Sequence, residues 1–490
     1  MAKMPHGMSR LDLFLKECLD KHSLNDDRPL PQTFGYLTHA NPVTGNLSKA
    51  TIVAAFDALV ETMRTTVVKD GPADAGMTFF GQFIDHDITL DATSAIGTKI
   101  DPRSIRNIRT PELDLDCVYG DGPEASPYLY GGGNLHEFLL FGREDNPYDL
   151  ARNCTGRALI GDFRNDENII VSQVQGAFIC LHNILMTQAE KNGAVKRDIA
   201  HCSSMGVRTE VWHDVLNPGL KTFEEVRRFI RLHYQWLVLH EFLPSFVDQA
   251  DIDHALSHDI FPDAPMMPAE FSVAAYRFGH ATVQPEYALR KGEAPVGLFA
   301  LDGGFKPRDP GATIDLEMFF GPGAQKALPV GTDMAETLFE LPNFIVGSGL
   351  QWGDHKIPVE QAKKLSLRNI LRDRTAMLLP SGQQMARHLG IPECPTPQVL
   401  KDHHVDKTPL WFYCLQEAQA SGKGKLTGVG GKIVASVIVR LLREDRESVL
   451  HIPDFAPWSG FGETCTMGNL MKFVEKHRDD VAHREDLYCG

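Results

Sequence analysis

Apolar residues that recur at intervals of three and four place the strongest constraint on what this chain can fold into. Ile52, Val53, Phe56, Leu59, Val60 and Met63 form one such stripe, and Ile170, Val174, Phe178, Leu181 and Leu185 form another. A residue that recurs about every 3.6 positions returns to one face of an α-helix, so each stripe predicts a helix with a buried side. A further helix runs from Thr222 towards Pro244 and opens with TFEE, where Thr222 and Glu225 suit a capping box. Ser381 and Gln384 repeat that pattern at the head of SGQQMARHLG, which Gly390 closes. VEQAKKLSLRNILRDRTAMLLP reads as one helix ended by Pro380, and GKIVASVIVRLLRED, apolar on most sides, as a buried one. Residues 92–160 are rich in Gly, Pro and Asp and hold no period, and 245–357 reads as mostly coil. The predicted fold class is mainly α, with long irregular loops and little β. An N-terminal arm over 1–48, marked by Pro29, Pro31 and Pro42, precedes a single large helical domain over 49–490.

Composition narrows the function classes. Lys plus Arg number 49 against 64 Asp plus Glu, a formal charge of −15 that argues against nucleic acid or an anionic membrane as partner. No stretch approaches the ~20 uncharged apolar residues of a membrane span, and the N-terminus lacks the pattern of a secretory signal. The expectation is therefore a cytoplasmic protein without a membrane span. Nine scattered cysteines without a CxxC pair read as reduced thiols.

Chemistry concentrates in four short segments. GQFIDHDITLD sets His86 between Asp85 and Asp87, with Gln82 four residues before it. On a helix Gln82 and His86 share a face while the two aspartates diverge to either side. GDFRNDEN places Arg164 and Glu167 three apart, a spacing that usually makes no more than a surface ion pair. AAYRFGHATVQP holds His280 in a patch with few charges, where a packed core histidine is the plain reading. LSLRNILRDR carries Asn369, Arg372 and Arg374, for which a solvated basic face is the simple account.

Together and in this order, the four segments resemble the animal-type haem peroxidases of the peroxidase and cyclooxygenase superfamily, over about residues 70–460, and a bacterial-type member in particular. The resemblance implies a haem b cofactor, a single haem-peroxidase domain, and hydrogen peroxide with small reducing substrates as partners. It implies that His86 is the distal acid and base, with Gln82 beside it and Arg164 as its partner. It implies further that His280 is the axial ligand of the haem iron, that Asn369 bonds its outer nitrogen, and that Arg372 faces a haem propionate. Asp85 and Glu167 match the carboxylates that form ester bonds to the haem in many members. Asn168 stands where the strongest chloride-oxidising relatives have a methionine bonded to the haem, so a lower potential is expected and chloride is a poor candidate.

That chemistry suits the residues. Heterolysis of peroxide needs a base that takes a proton from one oxygen and returns it to the other, a task for neutral histidine near pH 7. A guanidinium stabilises the charge on the leaving oxygen. TPELDLDCVYG adds Thr110, the main chain at Glu112, Asp114 and Asp116, hard oxygens suited to Ca²⁺. An acidic turn that binds nothing is the bland alternative; the resemblance implies a calcium loop completed by Asp87.

The expected function is a haem peroxidase that oxidises phenols, iodide, bromide or thiocyanate through a ferryl intermediate. A fatty-acid dioxygenase is the first alternative, but its relatives carry a tyrosine three residues before the axial histidine, where this chain has Arg277 and Tyr276 is one position away. A non-catalytic haem or calcium-binding protein is the second. His182, His233 and His240 read as hydrogen-bonded structural groups.

Overall fold

The computed structural model describes residues 34–38, 47–67, 69–90, 112–191, 220, 222–261, 267–300, 304–347 and 349–480. The longer helices among the described residues are α1 Lys49–Glu61, α2 Ala75–Ile88, α3 Ile169–Lys191, α4 Phe223–Leu237, α5 Gln249–Ser257, α6 Leu365–Leu371, α7 Gly382–His388, α8 Leu410–Ser421, α9 Gly428–Glu444 and α10 Met467–His477. Strand pairing among the described residues is confined to four two-stranded pieces of two or three residues. The chain is mainly α, as the periodicity predicts.

Both expected capping boxes form. Thr222 and Glu225 exchange side-chain and backbone hydrogen bonds at the head of α4, and Ser381 and Gln384 do so at α7, satisfying N–H groups that the first helical turn leaves without partners. Gly390 follows α7 with φ +66°, a conformation that favours glycine. The apolar stripe of α3 is wholly inside the molecule. Its residues Ile169–Thr187 are long and apolar enough to cross a membrane, yet that stretch is buried within the fold as a core helix. The ring of Phe83 stacks on Phe178 at 5.0 Å, and Tyr234 meets Phe80, Phe83 and Phe178 edge-on at 5.9–6.1 Å, so α2, α3 and α4 share one aromatic core.

Two expectations need correction. The region 245–357 is not mostly coil throughout, because Gln249–Ser257 is helical. Only Ile252 and Ala255 are its buried apolar residues, too short a stripe for periodicity to reveal. The segment from Val359 is not one helix but Val359–Ala362, α6 and a π-helical turn Arg372–Ala376. Its basic face is not solvated either: Asn369 and Arg374 are buried, and Arg374 donates to the Leu379 carbonyl.

The bland reading holds for two of the three structural histidines. His182 contacts the Glu137 carbonyl at 2.9 Å, and His233 bridges the Phe229 carbonyl and the Trp458 N–H, each at 2.8 Å. His240 is exposed and stacks on Trp236 instead.

Residues from the N-terminal arm dock on the body. Phe34–Gly35 pairs with Met267–Pro268, and the Tyr36 hydroxyl donates to the Met377 carbonyl at 2.6 Å. The buried Glu270 carboxylate accepts from the Leu37 and Thr38 N–H groups at 2.9 and 3.2 Å.

Candidate active site

His86 lies near the C-terminal end of α2, where Gly81, Phe83, Ile84 and Ile88 are buried around it. The helix divides its polar groups as the spacing requires. His86 is buried, Asp85 stays near the end of the helix and accepts from the Thr89 hydroxyl at 3.0 Å, and Asp87 turns the other way. The Nδ1 atom of His86 is 2.7 Å from Asn165 Oδ1, and its Nε2 is 3.9 Å from Glu167 Oε1. Gln82 donates to that same Glu167 oxygen and accepts from Asn168 at 3.1 Å. Burial pushes the Glu167 carboxyl above its ordinary range, against the opposing pull of His86 and Arg164.

Arg164 is not the partner of Glu167 in a surface ion pair. Its Nε and Nη2 bond Asp162 at 3.1 and 2.7 Å, and Nη2 also donates to the backbone carbonyls of His86 at 3.1 Å and Thr89 at 2.5 Å. The guanidinium thus grips the end of the helix that bears His86. Asn168 caps α3, its Oδ1 accepting from the Ile170 and Val171 N–H groups at 3.1 and 2.9 Å, which gives this departure from the chloride-oxidising pattern a structural task.

The turn carrying Arg164 and Glu167 is braced from behind. Arg152 bonds both oxygens of Asp166 at 2.7 and 2.8 Å and both oxygens of Asp149 at 2.8 and 3.0 Å, with every side chain in the set nearly or fully buried. Removing one member of such a set strands charge in a low-dielectric interior. Arg152→Met is therefore expected to lose about 3–5 kcal/mol of stability, read by denaturant unfolding; a loss under 1 kcal/mol contradicts the bracing.

His280 lies on the short helical segment Ala275–Thr282. Its Nδ1 is 2.8 Å from the Asn369 amide, and among the described residues no hydrogen bond is made to its Nε2. Burial, aided by the Arg277 guanidinium and then Arg372, pushes the ring down to about 3, against the opposing Asn369 bond. The ring is therefore neutral at physiological pH. A Cβ built on Gly279 would meet nothing within 4 Å, and His280 beside it is half-buried. A neutral, half-buried, amide-backed imidazole would suit a haem ligand; Asn369 Nδ2 is the atom set against Nδ1, and turning that amide over presents its oxygen to Nδ1–H and leaves Nε2 as a lone pair. Arg372, next to α6, is half-buried and its charge is felt at His280.

The two histidine-bearing segments are bonded to each other. Thr78 and Thr282 hydroxyls are 2.8 Å apart, and Tyr276 donates to the Gly81 carbonyl at 3.1 Å. Sequence separations of 204 and 195 residues close here.

Asp87 accepts from the Leu115 N–H at 3.2 Å, the Tyr234 hydroxyl at 3.1 Å and the Cys117 N–H at 3.5 Å. It gathers with Asp114 and Asp116, one oxygen from each lying within 4.8 Å of the others. Burial, then the charges of Asp116 and Asp114, push the Asp87 carboxyl well above its ordinary range. Three carboxylates so close repel one another, and a divalent cation would relieve that repulsion. The Glu112 carboxylate faces Arg231 at 3.6 Å, which leaves only its main chain for the cluster, and Thr110 lies outside the described residues. Gly161 seals the junction with this loop: a Cβ there would lie 2.3 Å from the Asp116 carbonyl oxygen and 2.7 Å from that of Cys117.

Asn165, Asp162 and the Arg152–Asp166 brace were not singled out from the sequence. All but Arg152 sit inside GDFRNDEN, yet nothing local in that string says which side chain turns back towards residue 86.

Comparison with known proteins bears on the fold and on part of the chain's family likeness. Residues 91–301 match the family described as animal haem peroxidase, a span that contains the Asp114–Asp116 loop, Arg164 and His280. The chorion peroxidase of Drosophila melanogaster is 25% identical over 262 residues, 49% of this chain and 28% of that protein, so the match spans less than a third of the relative's length. Among solved structures, peroxidase A from Dictyostelium discoideum superposes with a TM-score of 0.57 at 15% identity, over 92% of this chain and 95% of that one. The fatty acid alpha-dioxygenase of Oryza sativa gives 0.55 at 16% identity over 93% and 80%, and that of Arabidopsis thaliana 0.52 at 15% over 91% and 79%. These structural likenesses speak to the fold. The family likeness rests on residues 91–301, less than half of the chain, which are similar to the animal haem peroxidase family.

Proposed function

We propose that this protein is a haem peroxidase that reduces hydrogen peroxide and oxidises small donors such as phenols, iodide, bromide or thiocyanate. One observation carries the reading. Two histidines from distant segments are each held at Nδ1 by a side-chain amide, on segments that are hydrogen-bonded to each other. When bound, the haem supplies the redox chemistry that splits the peroxide bond. His280 would hold its iron, with the Asn369 amide bonded to the ring's Nδ1 behind it. His86 Nε2 takes the proton from one peroxide oxygen and returns it to the other. Arg164 secures the helix end beneath His86 and leaves Nη1 to meet charge on the leaving oxygen. Glu167 and Asp85 supply carboxylates for ester attachment; acid-acetone extraction that releases the haem freely would rule that out.

Oxidation of fatty acids is the less favoured reading. Position 277, three before His280, is arginine, and the Tyr276 hydroxyl is spent on the Gly81 carbonyl. Purified protein is expected to show a Soret band that shifts when hydrogen peroxide is added. Absence of the band, or a band indifferent to peroxide, contradicts the proposal, and oxygen uptake with an unsaturated fatty acid and no peroxide would support the dioxygenase.

Ca²⁺ at Asp87, Asp114 and Asp116, with Thr110 and the Glu112 main chain, belongs to the same proposal. A ligand at 100 times its Kd stabilises the folded state by about 2.7 kcal/mol. Chelation is thus expected to lower Tm by several degrees and added Ca²⁺ to restore it; a Tm that ignores both argues for an acidic turn that binds nothing.

A further inference from the structure

The hydrogen bond at His86 Nδ1 is the end of a longer chain. The carbonyl oxygen of Cys117 can only accept, and Gln175 Nε2 donates to it at 3.1 Å. That commits the Gln175 oxygen to the other side, where Asn165 Nδ2 donates to it at 2.8 Å. The Asn165 oxygen must then face His86 Nδ1, 2.7 Å away. An oxygen without a proton accepts only, so Nδ1 carries the hydrogen and Nε2 is left with its lone pair. Each amide's orientation follows from the backbone carbonyl at the far end, so one fixed acceptor decides the tautomer three links away. Asn165 and Gln175 are completely buried, and no water competes for these bonds.

The opposing influence is Glu167, whose oxygen lies 3.9 Å from Nε2 and would attract a proton there. That separation is too long for a hydrogen bond, and the oxygen is already engaged by Gln82. We propose that Asn165 and Gln175 are positioning residues which hold His86 in the Nδ1–H tautomer, so that its Nε2 is available as a base towards the pocket. The proposal rests on the reading of His86 as the distal base. It deepens that reading by naming what makes the base available.

The test is a long-range proton–nitrogen correlation spectrum of the haem-containing, ¹⁵N-histidine-labelled protein in its diamagnetic ferrous carbon monoxide form. The His86 signals are assigned by their loss in His86→Gln. The expected native pattern is a protonated Nδ1 and a bare Nε2. Asn165→Leu should convert it to the other tautomer or a mixture, and slow the reaction with peroxide by about 10–100-fold, as loss of a partner behind a functional imidazole does, with the Soret band unmoved. If the leucine variant does not fold, Gln175→Met removes the anchor of the Asn165 amide and carries the same expectation. A native His86 protonated on Nε2, or a folded variant of either kind with the native pattern and rate, overturns the proposal. Should His86→Gln leave the peroxide reaction unchanged, the base assignment falls, and with it the functional half of the proposal, whatever tautomer the spectrum reports.

Discussion

His86→Gln is expected to slow the reaction with hydrogen peroxide by about 10²–10⁴-fold, the usual worth of a positioned general acid–base, while leaving the Soret band in place. Glutamine has nearly the right length but no nitrogen that can take a proton at neutral pH. The surrounding bonds survive, because the Arg164 guanidinium grips the backbone carbonyl of residue 86 and not its side chain. The loss should therefore appear in the second-order rate with peroxide, followed by stopped-flow absorbance, with little change in thermal stability. A rate within tenfold of the native one would remove His86 from the mechanism.

His280→Ala should have the complementary result: protein that retains no haem, or binds it with an altered ferric spectrum. The imidazole is half-buried, neutral at physiological pH and makes no hydrogen bond at Nε2 among the described residues. Asn369→Leu keeps the ligand but leaves Nδ1 without its amide, and should weaken haem retention by about 10–100-fold, measured as the rate of haem transfer to excess apomyoglobin. An alanine variant with the native spectrum would mean that another residue holds the iron.

Periodicity made α1 and α3 legible, because each buries an apolar face and the spacing of large side chains records it, whereas α4 was marked by its capping box and α9 by apolar residues on most sides. Gln249–Ser257 was not legible, since two buried apolar residues in nine make no stripe. Nor was the break before α6: Lys363 and Lys364 interrupt the helix in a string whose composition is that of a helix throughout. At the site, the divergence of Asp85, His86 and Asp87 followed from helical geometry alone. The amides behind both histidines divide instructively. Asn369 was expected from the order of motifs in the family, whereas Asn165 had no such precedent. Its role depends on a turn folding back across 79 residues, which is a property of packing and not of local spacing. The same holds for Arg164, whose partner proved to be Asp162 two positions away, not Glu167.

The tie between the arm and Glu270 changes where the working unit begins. Glu270 opens the π-helical turn that runs directly into the segment bearing His280, and its carboxylate, raised to about 7 by burial, is capped by the N–H groups of Leu37 and Thr38. A chain trimmed to start at Lys49, where the first apolar stripe begins, would uncap that acid at the head of the turn that leads into the segment bearing His280. The segment that reads in the sequence as an irregular arm is bonded to the turn that leads into His280, so on the proposal that His280 holds the iron, trimming it should be felt first in haem affinity, ahead of any loss of helix.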